Sequence, residues 1–296
     1  MRDFRGFRRE EERTLDRIFL DQLYREAKRW REGLSIKMED FVDLYGVERV
    51  REDLERVERR KKYFEQIDAG MPAEVLKLGI AFEGMIIERG VNKEDRLFGP
   101  NSLVKGTSLY DDFFGGVDAV VEFWEKKEDL YSHLGLAVDV TTGRELEGKL
   151  GQVLEDVRKG NFARVKYFSS QRMNFRGELS RIPRVVIAAD PATVKDFGQI
   201  WLSSRMNPTF QERVRSHFLN FQILREIILE LEAWIDYARK NRRPEEEISL
   251  YRRTLERARE VYRRRVSLFE EKASQEIDQR DASFETLAYY LESVQR

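Results

Sequence analysis

The chain has 296 residues, 54 basic against 55 acidic, for a net charge of −1, which excludes a globally basic nucleic-acid binder and leaves phosphate attraction to a local patch. Cysteine is absent and His133 and His217 are the only histidines, so disulfides, thiolate metal sites, cysteine nucleophiles and multi-histidine zinc centres drop out. No stretch approaches the roughly twenty apolar residues of a membrane span, and Met1 to Glu12 is charged rather than signal-like, so a soluble, cytoplasmic protein with no membrane partner is expected.

Residues 1–70 read as a helical N-terminal arm or cap. Leu15, Ile18, Phe19, Leu23, Ala27 and Trp30 form a stripe at three- and four-residue spacing that ends near Gly33. A short helical piece over Met38 to Tyr45 precedes a charged helix, Val47 to Ile67, with a sparse apolar line of Val50, Leu54, Val57 and Phe64. Pro72 suits the opening turn of the next helix, Ala73 to Arg89. There Leu76, Ile80, Glu83 and Ile87 follow at spacings of four, three and four, which puts Glu83 inside the apolar stripe. A carboxylate in that position needs a partner: a basic neighbour or backbone donors on one reading, a metal or water on the other.

Asn101 to Thr107 reads as a short strand, followed by the acidic-aromatic run Tyr110-Asp111-Asp112-Phe113-Phe114. Asp111 and Asp112 are candidates for substrate or metal contacts, or turn caps. Gly115 to Gly143 then reads as a β-hairpin, with strands Val117 to Phe123 and Leu134 to Val140 around a polar turn, Glu125 to His133. With the turn centred near Asp129, Val117 faces Val140, Ala119 faces Val138, Val121 faces Leu136 and Phe123 faces Leu134, an apolar face. By two-residue alternation the other face sets Asp118 opposite Asp139. Like charges across a ladder, with Cβ atoms roughly 4.5–5.5 Å apart, repel; either a cation neutralises them or the side chains lean apart into water.

Arg144 to Lys159 is amphipathic, burying Leu146, Leu150, Val153, Leu154 and Val157, with Lys149 and Gln152 flanking that stripe so that both are expected to point back at the hairpin's open end. Ala163 to Phe168 and Arg184 to Ala189 read as strands, and Ala192 to Leu202 as a helix after Asp190-Pro191. Between them Arg158, Lys159, Arg164, Lys166, Arg172, Arg176, Arg181 and Arg184 face the single acid Glu178, with Tyr167, Phe168 and Phe175 interleaved. That is the best candidate for tracking phosphates, its alternative being a solvated strand-loop-strand with ordinary salt bridges. Residues 206–296 return to helices. Phe221, Leu224, Ile228, Leu231 and Ile235, and then Ile248, Tyr251, Leu255, Ala258, Tyr262, Val266 and Phe269, predict an antiparallel pair, with a last helix over Ser283 to Val294. These terminal helices are the expected surface for a homodimer or a protein partner.

From Ala73 to Leu202 the order is helix, three strands, helix, strand, strand, helix. Together with Glu83, Asp118 and the stretch Val138-Asp139-Val140-Thr141-Thr142-Gly143, it resembles the PD-(D/E)XK nuclease superfamily in its exonuclease-type form. The resemblance covers residues 71–205 and implies an α/β fold, a restriction-endonuclease-like αβββαβ core with a mixed sheet flanked by N- and C-terminal helical regions. It also implies a Mg²⁺-dependent (or Mn²⁺-dependent) nuclease acting on DNA ahead of RNA. Glu83, Asp118 and Asp139 would be its acidic residues, and the Val140 carbonyl a further metal ligand. Thr141 stands in the place of the motif lysine, and Lys149, on the following helix, is the candidate replacement; Gln152 matches a glutamine that some members carry there. Loss of the motif lysine keeps open a catalytically inactive relative that binds nucleic acid or a protein. A helical scaffold with a purely structural α/β unit is the third reading.

Overall fold

In the computed structural model the described residues are 4–295 apart from 94, 128–129, 144, 171, 173 and 271–273, and the side chains at 4–13, 68, 125–133 and 274 fall outside the description. The chain opens with α1 (Phe4–Leu34), a 3₁₀ turn (Met38–Phe41), α2 (Val42–Tyr45) and α3 (Val47–Asp68). The central helix α4 (Ala73–Val91) is buried on every side from Ala81 to Gly90, its charged residues Glu83, Glu88 and Arg89 included. After it come β1 (Ser102–Gly106), α5 (Leu109–Gly115), β2 (Ala119–Lys127), β3 (Leu130–Thr141), α6 (Leu146–Lys159), β4 (Ala163–Ser170), β5 (Phe175–Ile182) and β6 (Arg184–Ala188). Helices α7 (Pro191–Met206), α8 (Phe210–Ser216), α9 (Phe218–Lys240), α10 (Glu245–Phe269), α11 (Ser274–Asp278) and α12 (Ala282–Gln295) complete it. None of the described helices is long and apolar enough to cross a membrane.

The main sheet is mixed, in the order β1-β2-β3-β6, with β1, β2 and β3 antiparallel in sequence and β6 parallel to β3. A parallel neighbour needs a crossover, and α6 with the separate β4-β5 hairpin supplies it. One sheet face, with Ala119, Val121, Phe123, Leu136, Val138 and Val140, joins the main core with α1, α4, α6, α7, α9, α10 and α12, so a single core runs from Leu20 to Leu291 through all three predicted segments. The other face packs Val120 and Ala137 on Val165, Phe168 and Ile182 of the β4-β5 hairpin. Beyond that hairpin, Met38, Phe41, Val50 and Val57 close over Tyr167.

Several expectations are corrected. The pairs Ala119–Val138, Val121–Leu136 and Phe123–Leu134 are in register, but the ladder runs on to Lys127–Leu130, so most of the predicted turn is strand and only 128–129, at its centre, lie outside the described residues. Val117 belongs to the opposite core from Ala119. Asp118 precedes the first paired residue, and its N–H donates to the Val138 carbonyl (2.9 Å), breaking the alternation there. A strand, β5, fills the middle of the basic stretch, and α5 is a helix capped by Ser108. Leu15 and Ile18 are exposed; the buried line of α1 is Leu20, Leu23 and Ala27.

Among the described residues no strand pairs with the outer edge of β6. Its backbone groups meet side chains of α9 instead, spaced four residues apart on one face. Glu230 accepts the Val186 N–H on both oxygens (2.9 and 3.1 Å), and Glu226 accepts the Ala188 N–H (3.1 Å). Gln222 donates to the Ala188 carbonyl (3.3 Å), to Glu226 (3.0 Å) and to Asp281 (3.0 Å). Unpaired backbone polar groups are costly when buried, and this polar row does the work of a fifth strand.

Candidate active site

The site forms where α1 crosses α4. A Cβ on Gly84 would lie 2.2 Å from the Ala27 carbonyl oxygen, so only glycine permits so close a crossing. One turn beyond Ala27, Arg31 then reaches the residue beside Gly84: its Nε lies 2.5 Å from Glu83 and its Nη2 3.0 Å from Asp112 on α5. The β2-β3 hairpin adds the other two acids. The Asp118 carboxylate accepts the Val140 N–H (2.6 Å), which fastens the start of β2 to β3. Asp139 is ion-paired with Lys149 of α6, whose ammonium also donates to the Val140 carbonyl (3.2 Å). Lys149 therefore reaches the hairpin, while Thr141 is buried and paired with Ala188 in the sheet.

Four carboxylates thus share a buried space with two cations. Burial, then the neighbouring Asp118 charge, lifts Glu83 well above the ordinary carboxylate range, with Arg31 pulling the other way. The same two causes push Asp112 up to about 8 and Asp139 up to about 6, Arg31 and Lys149 respectively opposing them. Burial would depress Lys149, but Asp139 and Asp118 hold it above its ordinary value. Arg31 is raised likewise: burial opposes, and the Glu83 and Asp112 charges prevail. The acids outnumber their cations, and carboxylates raised together by desolvation and by one another's charge make a candidate ligand site.

No protein-family model, no curated protein and no solved structure matches this chain. The site rests on its own geometry.

Glu83, Asp118, Asp139, the Val140 carbonyl and Lys149 come together as expected. Gln152 does not: it is exposed, and its amide faces Asp156 at 3.5 Å, because position 152 lies on the solvent side of α6 while Lys149 lies beside its buried line. Of the two acids expected to contact substrate or metal or to cap a turn, Asp111 and Asp112, one joins the cluster. Asp112 faces the cluster, whereas Asp111, one residue earlier and about 100° round the helix, bonds Ser108 (2.7 Å) and accepts the backbone N–H groups of Lys166 (2.6 Å) and Tyr167 (3.1 Å). Asp111 is therefore a clamp between α5 and β4. Arg31 is the addition; it stands four residues past Ala27, on the buried line of its helix, the same kind of misfit that marks Glu83.

The basic residues are mostly spoken for. Arg158 and Lys159 pair with Glu155, Arg164 with Glu178, Lys166 with Asp53, Arg176 with Asp43 and Arg184 with Asp156. Arg172 lies 3.8 Å over the Trp124 ring. Arg181 is exposed in the left-handed region, at φ 60°. Among the described residues no group of three or more acids, histidines or cysteines is arranged to hold a metal ion as it stands; Arg31 and Lys149 hold the carboxylates instead.

Proposed function

We propose that the chain is a metal-dependent nuclease of PD-(D/E)XK type that hydrolyses phosphodiester bonds of DNA. The observation that carries this reading is the contact of Lys149 with both Asp139 and the Val140 carbonyl, a permanent positive charge returned from the next helix to the place where the motif lacks its lysine. The reading is further supported by the order α4, β1-β2-β3, α6, β6, with β6 parallel to β3, into which α5 and the β4-β5 hairpin are inserted.

The donor chemistry fits Mg²⁺ or Mn²⁺. Carboxylates of Asp118, Asp139 and Glu83, with the Val140 carbonyl, are hard oxygen donors, and a divalent cation would relieve the mutual repulsion that raises Glu83, Asp112 and Asp139. When bound, such an ion supplies a more acidic water and neutralises charge on the phosphodiester. Lys149 stabilises the negative charge that develops on the phosphate, an electrostatic role of about 3 kcal/mol when the donor is preorganised. Asp139 orients Lys149, and the Asp118–Val140 hydrogen bond fixes the two strands that carry the acids. Arg31 competes with the ion for Glu83 and Asp112.

Arg31 also favours a second reading, in which the site is closed by salt bridges and the chain binds nucleic acid or a protein partner without cleaving. One experiment separates the two. Purified protein is incubated with linear, circular and single-stranded DNA and with RNA, in Mg²⁺, Mn²⁺ or EDTA, beside Asp118→Asn, Asp139→Asn and Lys149→Ala. Metal-dependent cleavage reduced about a hundredfold or more in each variant supports the nuclease. Binding without cleavage supports the second reading, and loss of both returns the helical scaffold. Cleavage that survives Asp139→Asn overturns the site.

A further inference from the structure

A cleft of about 980 Å³ opens between α3, α5, the end of α6, the β4-β5 hairpin and the start of α10, lined by none of the four clustered carboxylates. Arg184 connects the two places: it lines the cleft, donates to the Gly115 carbonyl (3.1 Å), and lies close enough to Asp139 to help lower it. The charge on the cleft walls is largely cancelled in place. Arg164, Lys166 and Arg184 each have a carboxylate, Asp111 is occupied by backbone donors, and Glu247 by Arg243. Arg49 of α3 and Arg181 of β5 are different. Both are exposed cations lining the cleft, and among the described residues neither has an ion-pair partner. Glu246 is the acid on the opposite rim.

The backbone goes out of its way to place Arg181. Between the pairs Ala163–Ile182 and Val165–Leu179, two residues of β5, Ser180 and Arg181, stand opposite the single residue Arg164. A bulge of this kind re-aims a side chain, and here it does so with a non-glycine residue at φ 60°, a conformation that costs on the order of 1 kcal/mol. A second bulge, Lys166 and Tyr167 opposite Glu178, restores the register and is held by Asp111. On the α5 wall the Tyr110 and Phe114 rings lie with centroids 5.0 Å apart and planes inclined at 42°; Arg56 sits over both and Lys166 over Tyr110, and Phe114 keeps 42% of its surface exposed.

We propose that this cleft binds a short single-stranded segment of nucleic acid, with Arg49 and Arg181 holding its phosphates and the Tyr110–Phe114 wall taking a base. The inference deepens the nuclease reading and rests on it for the direction in which the strand runs, past Arg184 toward Asp139. Two unpaired cations beside an aromatic face in a space of this size match a flexible strand; an acidic peptide would use the charge and leave the rings idle.

The test is fluorescence anisotropy of a labelled oligothymidylate on the full chain in EDTA, where no cleavage intervenes. The variants are Arg49→Gln, Arg181→Gly and the double change. Glycine suits φ 60°, so Arg181→Gly removes the side chain without disturbing the bulge, and a thermal melt at or above that of the parent verifies it. The double variant is expected to bind about tenfold or more weakly at low salt, with the salt dependence reduced by roughly 1.4, two single-strand phosphate contacts' worth. Arg181→Lys is expected to recover part of the loss. Unchanged binding in the double variant, or no binding by the parent, overturns the proposal, as does equal competition by poly-glutamate or by duplex. Failure of the nuclease reading shows differently: no cleavage by the parent in Mg²⁺, with oligothymidylate binding kept and still dependent on Arg49 and Arg181.

Discussion

Two sets of buried acids in this molecule make opposite use of the same physics. Along the edge of β6, Glu226 and Glu230 are fully buried and burial lifts both well above the carboxylate range, yet backbone N–H groups and Gln222 meet their oxygens. At the α1–α4 crossing, Glu83, Asp112, Asp118 and Asp139 face one another, and two cations must answer four acids. The first arrangement is a seam that completes a sheet. The second is held in a strained balance that a ligand can improve. A third place underlines the contrast: Asp95 binds two buried arginines, Arg89 (2.7 Å) and Arg265 (3.0 Å), and there the acid is pulled below its ordinary range, even though burial alone would raise it. Carboxylates that face one another, with no backbone or amide donor among the described residues to meet Glu83, Asp112 or Asp139, and not burial alone, mark the candidate site.

The largest effect is expected where the seam is broken. Glu230→Ala leaves the Val186 N–H without an acceptor and opens a cavity, at a cost of about 3–5 kcal/mol, read as a lower midpoint in urea denaturation. Glu230→Gln keeps an acceptor oxygen and is expected to lose less than half as much. Arg31→Met comes next. It strips Glu83 and Asp112 of their cation and is expected to cost about 2–4 kcal/mol at neutral pH. The comparison is sharpened by adding millimolar Mg²⁺ or Mn²⁺: the variant is expected to regain stability through ligand binding, by more than the parent does, whereas Glu230→Ala is expected to gain no more than the parent. Equal responses in both would erase the distinction between seam and site.

Much of this was legible in the chain. The hairpin register for Ala119 to Phe123 follows from centring the turn near Asp129, and it holds because a one-residue slip would carry Val121, Leu136 and Val138 out of the main core and turn Glu122 toward it. Asp118 escaped the same rule since a backbone bond to Val138, invisible in sequence, starts the ladder one residue late. Glu83 announced itself as a charge on an apolar stripe. Arg31 carries the same signal four residues after Ala27, but a stripe through Leu15, Ile18 and Trp30 passes it by, and in a helix so rich in charge one more arginine does not stand out. The pairing of the two misfits depends on Gly84 meeting Ala27, a tertiary contact. The β6 seam was hidden for the opposite reason: Glu226 and Glu230 lie in a helix buried on nearly all sides, where an acid at four-residue spacing looks like a solvated face.

A smaller effect concerns pH. Asp112 is raised from an ordinary 3.8 to about 8. A carboxyl whose folded value exceeds its unfolded one contributes stability that is complete below the unfolded value and is lost as pH rises through the folded one. Asp112 therefore subtracts stability between about pH 4 and pH 8, and Asp139, raised to about 6, does so between about pH 4 and pH 6. Asp112→Asn removes the larger share. Its stability is expected to fall less from pH 5 to pH 8 than the parent's, by on the order of 2 kcal/mol. A slope identical to the parent's would mean that Arg31 already holds Asp112 ionised.

The smallest effect separates the structure from the resemblance. Gln152 was drawn into the site because a related motif carries a glutamine on the same helix, three residues after Lys149. In the fold those three residues set it about 60° further from the buried line than Lys149, on the exposed face and against Asp156. Gln152→Ala is expected to change stability by less than about 0.5 kcal/mol and to leave any Mg²⁺-dependent cleavage within about twofold of the parent, while Lys149→Ala in the same assay loses it. A hundredfold loss in Gln152→Ala would require α6 to rotate when substrate binds, carrying Lys149 away from Asp139, and the buried line of Leu146, Leu150, Val153 and Val157 sets that rotation against the whole of the helix's contribution to the core.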